Sequence, residues 1–531
     1  MNSKEERKKQ ALNPYLPLDV CIPDGEPHVF GDRVYVYGSH DKMGGDAFCM
    51  LDYEVYSAPV TDLASWSAKG TAYSAAQDPL YGEEFRYMYA PDCARGPDGR
   101  YYLYYCMAGG RSFTSSVRIA VSDFPDGPFA YYGYVRNAAG APLAKGITFD
   151  PAVFTEDGKI RLYYGWSLQV EREKAAAAVS TAEGREGLKR AQMALFGKTE
   201  EELEEFPGGA MGAFCCELAP DMRTVTAGPY PVAPGQFSSF GTSFEGHAFF
   251  EGSSMRKFGD TYYFIYSSEN MHELCYATSA RPDGDFVYRG VLVSNGDIGI
   301  GGREPKDRQC RTGNNHGSLV KIGDSYYIFY HRHTQKTSFS RQGCAEKIGF
   351  DERTGTFLQA EMTSCGLNGG PLRAEGTYSA AVCCLLTNGK MPHVSGGKTE
   401  EDIPFIRTEG EAVFLSALKK GTVAGYRYFR FAGETEITLT VRSEGTAEIR
   451  LAAGEKDSVR AAARVSGSGG WEKIPLRFTA EGEKTLYLLF PSDTPCDLLS
   501  FSFGEAGRGD EGTERADGRK NTTAEEEDRN G

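Results

Sequence analysis

Tryptophan is nearly missing from this chain: there are three among 531 residues, against 31 tyrosines and 31 phenylalanines. Basic residues are in the minority, with 58 Lys and Arg against 73 Asp and Glu, and the formal charge of -15 argues against nucleic acid or an anionic membrane as a main partner. No apolar run reaches membrane-spanning length. The charged start "MNSKEERKKQAL" is not followed by an apolar stretch, so neither a transmembrane helix nor a signal peptide is expected. The 13 cysteines are an odd number without metal-ligand spacing, and the adjacent pairs Cys215/Cys216 and Cys383/Cys384 are poorly placed for disulfides. Reduced thiols and a cytoplasmic location are the expectation, and the sequon at Asn521 then reads as chance.

Repetition is abundant. Five segments share one pattern of strand, tight Asp/Gly turn and aromatic-rich strand: "EPHVFGDRVYVYGSHD" from Glu26, "APDCARGPDGRYYLYYCM" from Ala90, "FDPAVFTEDGKIRLYYGWS" from Phe149, "EGSSMRKFGDTYYFIYSSE" from Glu251 and "NHGSLVKIGDSYYIFYHRH" from Asn315. Their turn aspartates Asp32, Asp98, Asp157, Asp260 and Asp324 are separated by 66, 59, 103 and 64 residues. Strand hairpins repeating in this way predict an all-β fold, a five-bladed β-propeller, in which each repeat is one sheet that cannot bury its faces alone.

The long third step has a local cause. Between Gln169 and Gly212 the chain is rich in Ala, Glu, Leu and Lys, with Thr199 placed as a helix cap, which predicts a helical insertion in the third blade. It reads either as a solvated excursion or as a lid or oligomer contact. After Leu372 the repeat stops, and from Glu409 short alternating segments such as "AGYRYFRFAG", "TEITLTVRSEG", "WEKIPLRFTA" and "KTLYLLF" predict a β-sandwich of about eight strands. The expected organisation is a charged segment over 1–12, a propeller over 13–371, a linker plus sandwich over 372–504 and a disordered acidic tail over 505–531.

The acids gain meaning from the repeat. In a propeller the innermost strand of each blade lines the axis, so Glu26, Asp24 two positions earlier, Asp150, Glu251 and His316 converge on one funnel. A single acid at a strand end is ordinarily a turn or capping partner. Three blades contributing carboxylates to a cavity faced by Tyr, Phe and Trp166 point instead to glycoside hydrolysis, in which one carboxyl is held protonated and another ionised.

These motifs resemble glycoside hydrolase family 43, which includes β-xylosidases and α-L-arabinofuranosidases. The resemblance covers about residues 13–370 and rests on "NPYLP", "GSHD", "YAPD", "FDPAVF", "FFEGSSMRK" and "SRQGCAEKIGF". It implies Glu251 as general acid and Asp150 as the third carboxylate, a like charge that keeps Glu251 protonated. The general base is where the chain departs from the family, which places Asp directly before Pro. Here "PDGEP" offers Glu26 at that place and Asp24 two residues earlier. Side-chain length favours Asp24 as base, with Glu26 as substrate ligand or alternate base. The resemblance further implies inversion, with base and acid carboxyls about 6.5 to 9.5 Å apart.

By the same resemblance His316 contacts an ion or water plugging the channel, a core histidine being the alternative. Arg341 reaches a sugar hydroxyl, a surface salt bridge being the alternative. Tyr89, Phe149 and Trp166 wall the pocket or pack the core. No cofactor is required, and any calcium would be structural. The C-terminal part resembles carbohydrate-binding module family 6 through "AGYRYFRFAG" and "GWEKI", with Tyr426, Tyr428 and Trp471 as its aromatics, although a buttressing domain fits the same segments. The expected substrate is a short oligosaccharide ending in arabinose or xylose. The rivals are a non-catalytic carbohydrate-binding propeller and another five-bladed glycosidase. A fructan hydrolase would carry "NDPNG"-like and "RDP" motifs, and both are absent.

Overall fold

Every one of the five repeats forms its own antiparallel sheet in the computed structural model, which describes residues 9–110 and 114–504. The first blade runs Glu26–Phe30, Arg33–Tyr37, Tyr53–Pro59 and Ser67–Tyr73 in spatial order, and the second, third and fourth repeat that four-stranded order from Phe85, Ala152 and Phe249. The fifth has three strands, Leu319–Ile322, Ser325–His333 and Arg341–Ile348.

Four of the five hairpins are two-residue turns, because Phe30 pairs with Arg33, Glu156 with Lys159, Phe258 with Thr261 and Ile322 with Ser325. Such turns need left-handed backbone. Gly31, Gly259 and Gly323 supply it, with φ of 64°, 61° and 57°, whereas in the third blade Asp157 adopts it itself, at 49°, before Gly158.

The ring closes through backbone and the N-terminal segment. Gly25 bridges Gly317, joining the first and fifth blades. The Asn13 side chain accepts from the Ala345 N–H at 3.0 Å and donates to Glu346 Oε1 at 2.7 Å, while Tyr15 packs on Trp66 and Phe329. The aromatic surplus fills the wedges between blades. Buried tyrosines keep their hydroxyls satisfied across these seams: Tyr163 donates to Pro282 O at 2.7 Å and Tyr164 to Lys145 O at 2.9 Å.

The insertion in the third blade is helical: α1 (Arg172–Ser180), α2 (Ala182–Phe196) and α3 (Glu200–Glu204). Thr181 caps α2, left-handed Gly197 ends it, and Thr199 with Glu202 forms a capping box on α3. These helices are not merely solvated. Phe196 meets the Trp166 ring edge-on at 5.9 Å, and Leu203 packs in a cluster with Ile147, Phe149 and Met211.

The C-terminal region is one curled sheet of ten strands around a core that includes Leu439, Leu451, Leu488 and Phe501. Its two longest strands, Thr422–Ser443 and Glu472–Phe490, pair along their length. The sequence reading divided each into two. The chain does not break there, because Gly433 and Gly482 sit inside the ladder and bend it. Tyr426 is fully buried with its hydroxyl on Ala380 O, Tyr428 donates to Glu361 Oε2, and Trp471 stacks under Arg442 and remains 37% exposed. The acidic tail over 505–531 lies outside the described residues.

This sheet docks on the propeller through a buried ion pair. Arg427 reaches Asp297 at 2.5 Å and the Met362 carbonyl at 2.9 Å. Removing one partner leaves the other charge buried and uncompensated. Arg427→Met is expected to cost about 3–5 kcal/mol of stability, read as a lowered midpoint in chemical denaturation.

Candidate active site

Asp24, Asp150 and Glu251 stand at the entrances of the inner strands of blades one, three and four, and all three line one cavity of about 260 Å³. The backbone there is unusual. Asp24 has φ 59° and Asp150 φ 44°, a left-handed region that non-glycine residues rarely occupy. Held by the surrounding sheet, this conformation turns each carboxyl off the strand and into the cavity. In the fourth blade the acid keeps ordinary backbone and its successor Gly252 takes φ 73°. A Cβ on Gly252 would stand 3.0 Å from the His316 ring, so only glycine fits.

Asp24 is the best-held group. Arg341 Nη1 donates to its Oδ1 at 2.9 Å, and His331 Nδ1 stands 3.2 Å from the same oxygen. The guanidinium also grips Asp41, through Nε at 2.8 Å and Nη2 at 3.0 Å. Burial alone would raise the Asp24 pKa, but Arg341 and then His331 outweigh it and hold the carboxyl well below its usual range. The contacts of Arg341 and His331 both fall on Oδ1.

Glu251 has the opposite environment. Burial and then the negative charge of Asp24 push its pKa up to about 7, although Asn314 and Trp166 donate hydrogen bonds to it. Asp150 accepts from the Gly252 N–H at 3.1 Å and is pushed well above its ordinary value by burial, then by Glu251 and Asp24. The sequence reading made Asp150 the charge that raises Glu251. In the structure the leading causes at Glu251 are burial and Asp24, and Asp150 is itself raised by Glu251.

His316, Arg341, Tyr89, Phe149 and Trp166 line the same cavity. His316 Nδ1 lies 3.7 Å from Asp150 Oδ2 and 3.9 Å from Asp24 Oδ1, and burial lowers its pKa to about 4, so the ring is neutral near pH 7. Arg341 is no surface salt bridge. It is 2% exposed and committed to two carboxylates.

Glu26 does not line the cavity. It lies deeper on the axis, paired with Arg256 at 2.7 Å and accepting from Ser254 at 3.0 Å. Its Oε1 is 4.0 Å from His316 Nε2, beyond hydrogen-bonding distance. A calcium ion takes six to eight oxygen ligands. Among the described residues Glu26 Oε1 and His316 Nε2 are buried without a partner and face each other at 4.0 Å, and Glu26, His28 and Asp92 bring three ligand atoms within 4.8 Å of one another, but with Arg256 on Glu26 Oε2 and His28 on Asp92 this group offers fewer oxygens than a calcium ion takes.

Several residues of the site escaped the sequence reading. Asp41 sits in the quoted "GSHD", and Asn314 lies two residues before His316, yet neither was given a role. Phe48 and Phe250 carried no signal among so many aromatics. Ser395 and Gly396, which also line the cavity, come from beyond the last blade and are brought back by the Val394 carbonyl on Arg311 and Ser338.

A five-bladed propeller with one ionised and one protonated carboxyl in a small aromatic cavity defines a glycoside hydrolase. The sequence profile of glycosyl hydrolases family 43 matches residues 22–206. A xylosidase/arabinosidase of Thermoclostridium stercorarium is 39% identical over 509 residues, spanning 93% of this chain and 99% of that protein. A xylosidase/arabinosidase of Bacteroides ovatus is 29% identical over 330 residues, 60% of this chain and 87% of the relative. Among solved structures, a family 43 arabinoxylan arabinofuranohydrolase from Bacillus subtilis with bound cellotetraose is similar at a TM-score of 0.45 and 18% identity, covering 93% of this chain and 99% of that one. The chain belongs to glycosyl hydrolases family 43, and it is a glycosidase.

Asp41 orients Arg341 without lining the cavity. Asp41→Asn is expected to lower kcat on the order of a hundred-fold with little change in KM, because displacing Arg341 misplaces Asp24. Steady-state kinetics of the folded variant checks this.

Proposed function

We propose that this glycosidase removes single terminal pentose residues, α-L-arabinofuranose, β-D-xylose or both, from arabinoxylan or arabinan oligosaccharides, with inversion at the anomeric carbon. The observation that carries the reading is the split in one cavity between Asp24, held ionised, and Glu251, raised to about 7. Asp24 takes a proton from a water as its oxygen bonds to the anomeric carbon. Glu251 gives its proton to the departing glycosidic oxygen as that bond breaks, and both carboxyls then exchange protons with solvent. Asp150 and His316, 3.7 Å apart beside these groups, are uncharged near neutral pH, so they bring no cation that would favour ionised Glu251, whose proton is kept by burial and by the charge on Asp24. Arg341 fixes the base, and it also lines the cavity that would take the sugar.

The pentose assignment is supported by the 39% identical relative, whose name gives both sugars and whose length this chain matches almost throughout. Cavity size supports action at a chain end. About 260 Å³ is below the ~300–1,000 Å³ of pockets that take drug-sized ligands, and suits one sugar ring.

Two measurements test this. On short xylo-, arabino- and arabinoxylo-oligosaccharides the wild type should release a monosaccharide, and Glu251→Gln should be slower by about a hundred-fold to ten-thousand-fold, with a smaller loss on substrates whose leaving group needs no proton. Wild-type protein that binds these sugars and releases none would overturn the proposal. The kcat/KM profile should fall as pH rises through about 7, where Glu251 loses its proton. Its acid limb should lie below the usual carboxylate range, where Asp24 gains one.

A further inference from the structure

The site described above does not use a second cavity, which lies where the fifth blade meets the C-terminal region. It offers about 30 Å³ of space open to a water-sized sphere, enough to hold a water molecule. Two guanidinium groups line it, Arg311 and Arg332, 3% and 6% exposed. Among the described residues no Asp or Glu lines it; the rest of the wall is His333, Thr334, Gln335, three cysteines and apolar side chains.

Among the described residues neither guanidinium has a carboxylate partner. Arg332 donates to Gln342 Oε1 and to the carbonyls of Ala381 and Cys383. Arg311 donates from Nη2 to Ser338 Oγ at 2.9 Å and Val394 O at 3.3 Å, and its Nε and Nη1 are buried without a partner. Carboxylates near the interface are committed elsewhere: Asp297, which acts on Cys310, is paired with Arg427. Burial also raises the thiols of Cys310, Cys383 and Cys384, so they carry no compensating charge at neutral pH.

An uncompensated buried charge costs several kcal/mol, and leaving a buried donor unmade adds to it. A water molecule would accept from Arg311 but leave both positive charges in place. A monatomic anion answers both demands in the same volume. We propose that this cavity is a binding site for a halide, chloride in the cell, held by Nε and Nη1 of Arg311 and by the field of Arg332.

The position gives the ion an effect on the catalytic cavity. Arg311 holds Val394, whose neighbours Ser395 and Gly396 line that cavity. His333, on the anion side, shares the Asn314 carbonyl with His331, and Asn314 bonds Glu251. Chloride on Nε and Nη1 would steady the guanidinium whose Nη2 holds Val394, the residue next to Ser395 and Gly396.

Thermal unfolding of the full chain in sodium chloride and in sodium gluconate at matched ionic strength tests the site. The midpoint should rise saturably with chloride by about 2 °C, bromide should do the same, and Arg311→Gln should lose the increment. Equal midpoints in chloride and gluconate for the wild type, or an undiminished increment in Arg311→Gln, would overturn the proposal. Should that variant fail to fold, ³⁵Cl line broadening by the wild type decides. Saturable broadening that bromide displaces supports the site, and broadening no greater than that from an unrelated acidic protein refutes it.

Discussion

One guanidinium sets the terms for the catalytic cavity. Three carboxyl groups and a neutral imidazole are buried together around one cavity, and Arg341 is a cation that lines it. It touches one of the three: its fork is closed on Asp41, and its remaining nitrogen meets Asp24. Like charges in a small volume cannot all ionise. The carboxyl nearest the cation keeps its charge, and Glu251 and Asp150, further from it, are driven towards the protonated form. The division between an ionised and a protonated carboxyl thus follows from where one arginine stands. An Arg is needed because its planar fork reaches two carboxylates at fixed angles, which a lysine ammonium cannot do.

The rest of the protein keeps that arrangement from relaxing. Left-handed backbone at Asp24 and Asp150 would unwind if the hairpins behind them were loose, and the two-residue turns and satisfied tyrosine seams prevent it. The helices inserted in the third blade place Phe196 against Trp166, which itself bonds Glu251, so a segment outside the ring stiffens the wall of the cavity. The C-terminal sheet contributes in the same way: docked by Arg427 on Asp297, it returns Ser395 and Gly396 to the cavity rim. Catalytic geometry in this chain is a property of both regions.

Much of this was legible in the residues. The turn spacing gave the number of blades, because a repeated Asp/Gly turn between alternating strands has one physical reading, and a shared position in that repeat collected Glu26, with Asp24 two residues before it, Asp150, Glu251 and His316, of which all but Glu26 line the cavity. The choice between Asp24 and Glu26 was not legible to the same degree. Two positions apart on an extended strand they share a face, but Asp24 sits in left-handed backbone, which rotates it out of that pattern and leaves Glu26 on Arg256.

What the sequence determined by itself is local and periodic: strands, turns, capped helices, and the residue types that meet at the axis. Tertiary structure alone decided which charge is neutralised. Asp41 and Arg341 are 300 residues apart, so their contact leaves no trace in any window of the chain. The same holds for the uninterrupted strands through Gly433 and Gly482, where local glycine signals a break and the partner strand overrides it. Electrostatic roles depend on distance in space, and folding brings those distances about only after the local signals have been obeyed.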